Sequence, residues 1–268
     1  MRTHLHDSHY GSHIVWSILI GLLIYTIIPT VIVRLGGFGA YRKGNATGIA
    51  LTFDDGPDPA FTPQLLDILK LHGIQATFFV LGVKAEKYPE LIRRMHAEGH
   101  LIGIHNYMHW SNALLTPKRV RKQLQDTATV IEKILGFRPI HYRPPWGIIN
   151  VFDLLLIKQF RLVLWSLMVG DWSCSGGKER IKNKLFARLH NNDIIVLHDS
   201  GETLGANPYA PIYMLDALEE FVKECRLQGI PFMRIDQRMQ MDEQLPIHPD
   251  NRSLQGKNRN QSGMNLTN

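Results

Sequence analysis

The first strong pattern along the chain is an uncharged run from Ile14 to Val33, IVWSILIGLLIYTIIPTVIV. No charged residue interrupts it to make an outward helix face, and as a helix it matches the ~30 Å hydrocarbon core of a bilayer. It predicts one N-terminal transmembrane helix over residues 14–33, within which Gly21 and Pro29 are tolerated. A cleaved signal peptide is the competing reading, but its apolar stretch is usually shorter and no clear A-x-A site follows. From Gly48 onward the pattern changes: short apolar runs alternate with longer segments in which apolar residues recur at three and four positions, as in Leu65, Leu66 and Leu69. That alternation marks a parallel α/β fold. Seven strands are expected at 48–53, 76–81, 100–105, 141–143, 162–167, 193–198 and 232–235. Helices are expected at 62–72, 89–98, 117–135, 151–159, 178–190 and 211–227, with Thr62 and Thr116 as N-caps before proline.

This divides the chain into a His-rich leader (1–13), the transmembrane helix (14–33), a linker (34–46), one α/β domain (47–240) and a tail (241–268). The tail is polar, lacks periodicity and is expected to be disordered, because it cannot bury enough surface to offset its ordering. Lys and Arg exceed Asp and Glu by 30 − 24 = +6, an excess without a recognised nucleic-acid motif, so no nucleic-acid partner is expected. Cys174 and Cys225 lack metal-site spacing and are given no role. Arg34, Arg42 and Lys43 follow the apolar run and only Arg2 precedes it, a count that directs the large domain to the cytoplasmic side. The histidines His4, His6, His9 and His13 add partial charge to the other side.

The unusual polar residues fall at one edge of this map. Asp54 and Asp55 follow the first expected strand, His105 and His109 close the third, Arg143 ends the fourth, Asp171 and Trp172 follow the fifth, and His198 with Asp199 closes the sixth. Polar groups thus gather at the C-terminal strand ends, where a (β/α) barrel builds its active site; structural polar residues would scatter over both ends. His105 and His109 stand four apart, so a helical turn would set both imidazoles on one face, where they can share a divalent cation. Alone the pair is weak evidence in a chain with thirteen histidines. Adjacent carboxylates repel, and Asp54 with Asp55 is retained cheaply only where a cation or an arginine neutralises them; read alone, Asp-Asp-Gly-Pro is also a surface turn.

Together these residues form five motifs: Thr52-Phe53-Asp54-Asp55-Gly56-Pro57, His105-Asn106-Tyr107-Met108-His109, Arg143-Pro144-Pro145-Trp146-Gly147, Gly170-Asp171-Trp172 and Ile195-Val196-Leu197-His198-Asp199. In their order and content the chain resembles the polysaccharide deacetylases of carbohydrate esterase family 4, the NodB homology domain, over roughly residues 47–236. The resemblance implies an α/β fold of the distorted (β/α)7, TIM-like barrel type. It implies Asp55, His105 and His109 as ligands of a divalent metal ion, zinc first, with cobalt or another divalent ion as alternatives. It implies Asp54 as general base, His198 as general acid, Arg143 as the residue orienting Asp54, and Asp171 as the residue holding His198. Trp172 and Leu197 would wall the pocket for the acetyl methyl, and the Trp146 amide would help hold the oxyanion. Two positions depart from the family pattern: Asn106, where Ser or Thr is more usual, and Met168, where many relatives carry Asp.

The expected activity is metal-dependent removal of N-acetyl groups from the sugars of a cell-surface polysaccharide, such as peptidoglycan or chitin-like oligomers. The expected location is a single-pass membrane protein with its catalytic domain outside, which conflicts with the Lys and Arg count. Two rivals share the motifs: a membrane-anchored carbohydrate-binding protein without turnover, and a metal hydrolase of another amide or ester. Read residue by residue, Trp172 and Leu197 are equally plain core, and Arg143 a surface ion-pair partner.

Overall fold

The structure, a computed structural model, describes residues 4–244. Of the tail, residues 245–268 lie outside the described residues, while 241–244 close a helix. The N-terminal helix is continuous through α1 (His4–Leu22), a π turn (Leu23–Ile27) and α2 (Ile28–Gly36). Pro29 has no N–H to give to the ladder, and the π turn sits directly before it. Residues His13–Gly36 form a 24-residue helical stretch containing 18 residues of mean hydropathy 2.3, long and apolar enough to cross a membrane.

Eight parallel strands follow: β1 (Ala40–Tyr41), β2 (Ala50–Asp54), β3 (Thr77–Val80), β4 (Leu101–Ile104), β5 (His141–Tyr142), β6 (Arg161–Val163), β7 (Leu167–Met168) and β8 (Ile194–His198). They form one sheet in the order β1-β6-β5-β4-β3-β2-β8-β7. The chain steps from β6, beside one edge, to β7, at the other, in three residues: Leu164 N–H donates to Tyr41 O (2.9 Å) and Ser166 N–H to Ile194 O (3.0 Å). The two edges therefore face each other across this step, and the sheet is curled into an incomplete barrel.

The sheet departs from the expected strands in three places. The 162–167 strand is broken because Ser166 Oγ donates to Asp193 and accepts from Ile194 N–H, which turns the chain out of register. The 232–235 strand is reduced to a single bridge between Ile49 and Phe232, because the N–H groups of Arg234 and Ile235 are taken by Gln237 and Thr77 as a helix begins. A short strand, β1, occupies part of the expected linker.

Among the described residues, eight helices connect and cover the strands: α3 (Thr62–Leu71), α4 (Gly82–Lys87), α5 (Pro89–Ala97), α6 (Pro117–Leu135), α7 (Val151–Leu155), α8 (Gly177–Arg188), α9 (Ala210–Leu227) and α10 (Ile235–Gln244). Thr116 caps α6 by accepting from Arg119 N–H, whereas Thr62 lies inside α3 and instead accepts from Asp58 N–H. Period-two alternation sorts the strand residues: Leu51, Phe53, Ile195 and Leu197 join Leu65, Leu69, Met214 and Phe221 in the layer between sheet and helices. Ala50, Phe79, Val163 and Ile194 pack inside, where Ile235 and Met239 of α10 join them.

A polar network lies under the loop between β5 and β6. Asp153 is buried and accepts from Asn112 Nδ2 (2.8 Å), Tyr142 Oη (3.1 Å) and Asn150 N–H (2.9 Å). Burial raises its pKa to about 6 against the opposing pull of those hydrogen bonds. A carboxyl whose folded pKa is raised holds its proton more tightly when folded. Its stabilising contribution is full below about pH 4 and is lost as pH rises through 6. Between those limits the unfolding free energy of the wild type should fall by roughly 3 kcal/mol more than that of Asp153→Asn. Denaturant titrations at several pH values check this; parallel pH profiles would refute it.

Candidate active site

Three loops at the C-terminal edge of the sheet carry the non-glycine residues of positive φ among the described residues: Asp55 (74°) after β2, Asn106 (64°) after β4 and Trp146 (55°) after β5. Each such residue costs of order 1–3 kcal/mol, and their convergence on one edge marks a functional site. The left-handed conformation also accounts for Asn106, because Asn adopts it far more readily than a β-branched residue does. Its Nδ2 donates to Trp110 O (3.1 Å) and Asn112 Oδ1 (2.9 Å), tying down the turn between the two histidines.

Asp55 Oδ1 lies 3.3 Å from His105 Nε2 and 3.2 Å from His109 Nε2. Tetrahedral coordination with bonds of about 2.1 Å would place neighbouring donor atoms ~3.4 Å apart, so the trio suits a shared cation. His105 Nδ1 is 2.8 Å from Arg143 O, a carbonyl that can only accept, so Nδ1 carries a proton and Nε2 is the ring atom available to ligate. Asp55 Oδ1 and His109 Nδ1 are buried without a hydrogen-bond partner, and Oδ1 is the atom facing both rings. Burial disfavours ionised Asp55, but His105, His198 and His109 outweigh it and hold the carboxyl well below its ordinary range. Burial pushes His109 down to about 4, which leaves it neutral and able to ligate at neutral pH. The donor set and the unpartnered oxygen fit a divalent cation.

Two ion pairs flank this trio. Arg143, fully buried, donates through Nη1 to Asp54 Oδ1 (2.7 Å) and Thr52 Oγ1 (2.8 Å), with its guanidinium 4.2 Å from the Phe79 ring centroid. Thr52 and Asp54 alternate with Leu51 and Phe53, so the same strand sends polar groups inward and apolar groups outward. His198 Nδ1 lies 3.1 Å from Asp171 Oδ1, and its backbone N–H donates to Asp171 Oδ2 (2.7 Å). Burial opposes a charge on His198, but Asp171, Asp55 and Asp54 outweigh it and raise the pKa to about 10. Neutralising Asp55 with a cation would remove part of that attraction. Asp54, Asp55, His105, His109 and His198 line one cavity of about 290 Å³.

A family model described as "Polysaccharide deacetylase" matches residues 41–162. A peptidoglycan-N-acetylglucosamine deacetylase of Bacillus cereus is 33% identical over 210 residues, spanning 77% of this chain and 72% of its own length. The chain belongs to the polysaccharide deacetylase family. Relatives named as peptidoglycan deacetylases are hydrolases of carbon–nitrogen bonds other than peptide bonds. The peptidoglycan-N-acetylmuramic acid deacetylase PdaC of Bacillus subtilis is 36% identical over 200 residues, of which this chain spans 40% of the length. A crystal structure of a peptidoglycan N-acetylglucosamine deacetylase superposes with a TM-score of 0.70 at 31% identity, covering 77% of this chain and 95% of that one.

Beyond the residues above, Trp146, Met168 and Trp172 line the cavity. Leu197 is not there. With His198 turned inward, strand alternation sends Leu197 into the helix-facing core, and Val196 takes the wall position. Arg143 is no surface ion-pair partner but among the largest fully buried side chains. Sequence reasoning also missed Thr203, whose Oγ1 donates to Asp55 Oδ2 (2.7 Å), and the wall residues Arg34 and Trp165. Thr203 lies on a loop without periodicity and Arg34 on the apolar helix, so no local pattern marks either one.

Proposed function

We propose that this family member removes N-acetyl groups from sugars of a cell-surface polysaccharide, peptidoglycan or a chitin-like oligomer. The observation that carries the reading is the placement of an Asp54–Arg143 pair and a His198–Asp171 pair around one Asp55, His105 and His109 cluster in a single cavity. The relatives named for action on N-acetylglucosamine or N-acetylmuramic acid of peptidoglycan support the substrate class.

In this reading Asp55, His105 and His109 hold zinc or another divalent ion. The ion, when bound, polarises the acetyl carbonyl and acidifies the attacking water. Asp54 takes the proton from that water, and Arg143 keeps the carboxylate aimed. His198, held by Asp171, gives a proton to the departing sugar nitrogen, which would otherwise leave as a very poor amide anion. The Trp146 amide helps hold the oxyanion, and Trp172 with Val196 walls the acetyl methyl. Acetate and a free amino sugar are the products. The helix over 14–33 serves as a single-pass anchor with the domain of residues 47–240 on the outer face of the membrane.

Purified, zinc-loaded protein should release acetate from N-acetylglucosamine oligomers or from peptidoglycan. Binding of both without acetate release would refute turnover. Release only from unrelated amides or esters would move the activity to another substrate class.

A further inference from the structure

The second half of the N-terminal helix docks on the catalytic domain through one face. Tyr25 Oη donates to Leu115 O (2.7 Å). Thr30 Oγ1 donates to Ile149 O (2.9 Å) and accepts from Ile149 N–H (3.0 Å), and Val33 is buried in a cluster with Ile149 and Leu115. One turn beyond Thr30, Arg34 Nη2 donates to Trp146 O (2.8 Å) and Nε to Gly147 O (3.4 Å), with the guanidinium 4.9 Å from the Trp165 ring centroid. Arg34 pairs with no carboxylate among the described residues, and it lines the same cavity as Asp54, Asp55 and His198.

Trp146 and Gly147 are consecutive residues of positive φ, 55° and 62°. A non-glycine residue in that region persists only where its surroundings over-determine it. The two carbonyls of this turn are held by one planar guanidinium, a forked donor whose geometry a lysine cannot copy. The family model begins to match at residue 41, so this clamp comes from outside the matched segment.

We propose that the N-terminal helix is a working part of the active site. Arg34 is a positioning residue that clamps the Trp146–Gly147 turn at the cavity wall. The catalytic part of this inference rests on the deacetylase reading; the clamp itself is a structural claim.

The test uses the full chain, zinc-loaded, in lipid nanodiscs. In Arg34→Ala, kcat on a soluble N-acetylglucosamine oligomer should fall roughly ten- to a hundredfold with KM changed far less, since a misplaced loop costs rate at the reacting centre. Amide exchange of the segment 144–150 should rise by about tenfold in the same variant, a readout that needs no turnover. Arg34→Lys should recover only part of both, and it serves if the alanine variant fails to fold. Unchanged kcat and exchange in the Arg34 variants would overturn the clamp. No acetate release by the wild type would defeat the deacetylase reading, while the exchange measurement would still decide the clamp.

Discussion

Asp54→Asn should lower acetate release by roughly a thousandfold, the middle of the range for loss of a general base. The substitution keeps the size of the side chain and an oxygen that can accept from Arg143, but an amide cannot take a proton from water at neutral pH. Oligomer binding should survive, because the cavity walls and the Asp55, His105 and His109 cluster are untouched. A second effect must be separated from the first. Arg143 is fully buried, and removing its counter-charge leaves an unpaired cation at a cost of about 3–5 kcal/mol. The single variant should therefore also melt earlier. Replacing both residues, Asp54→Asn with Arg143→Met, should recover much of the stability and none of the activity. Acetate release measured well below the melting temperature, alongside calorimetric binding of the oligomer, tests the argument; activity within about tenfold of wild type would remove Asp54 from the role of base.

Loss of the cation should have a comparable effect. Prolonged chelation should abolish acetate release, and zinc or cobalt should restore it. Binding free energies of structural zinc sites, about 10–16 kcal/mol, correspond to roughly 3 kcal/mol per ligand, so His105→Ala should weaken metal affinity by a hundredfold or more. The same variant frees Arg143 O, which His105 Nδ1 now bonds, so the loop before Trp146 should loosen as well. Metal content of the purified variant, read independently of turnover, is the decisive measurement. Full metal occupancy in His105→Ala would exclude that residue from the ligand set.

The candidate site was readable in the sequence to the extent that it sits on strand ends. Apolar runs of strand length mark β2, β4 and β8, with Asp54, Asp55, His105 and His198 at or just past their last residues, and Arg143 follows the two-residue β5. Even the exchange of Leu197 for Val196 is contained in strand alternation: once His198 faces inward, the residue two before it shares that face. The breaks in the sheet were not readable in this way. The 162–167 run is apolar enough for one strand, and what divides it is the pairing of Ser166 with Asp193, twenty-seven positions along the chain.

By itself, then, the sequence determined the α/β order of the domain, the apolar N-terminal helix and the set of residues that carry the chemistry, because each depends on local periodicity or on a short motif. The tertiary structure alone decided three things: how the sheet curls so that β7 faces the edge carrying β1, that Thr203 reaches Asp55, and that Arg34 of the helix reaches Trp146, 112 positions away. These contacts arise between segments whose own patterns are complete without each other. Only packing the chain into one body brings the donor of one to the acceptor of the other.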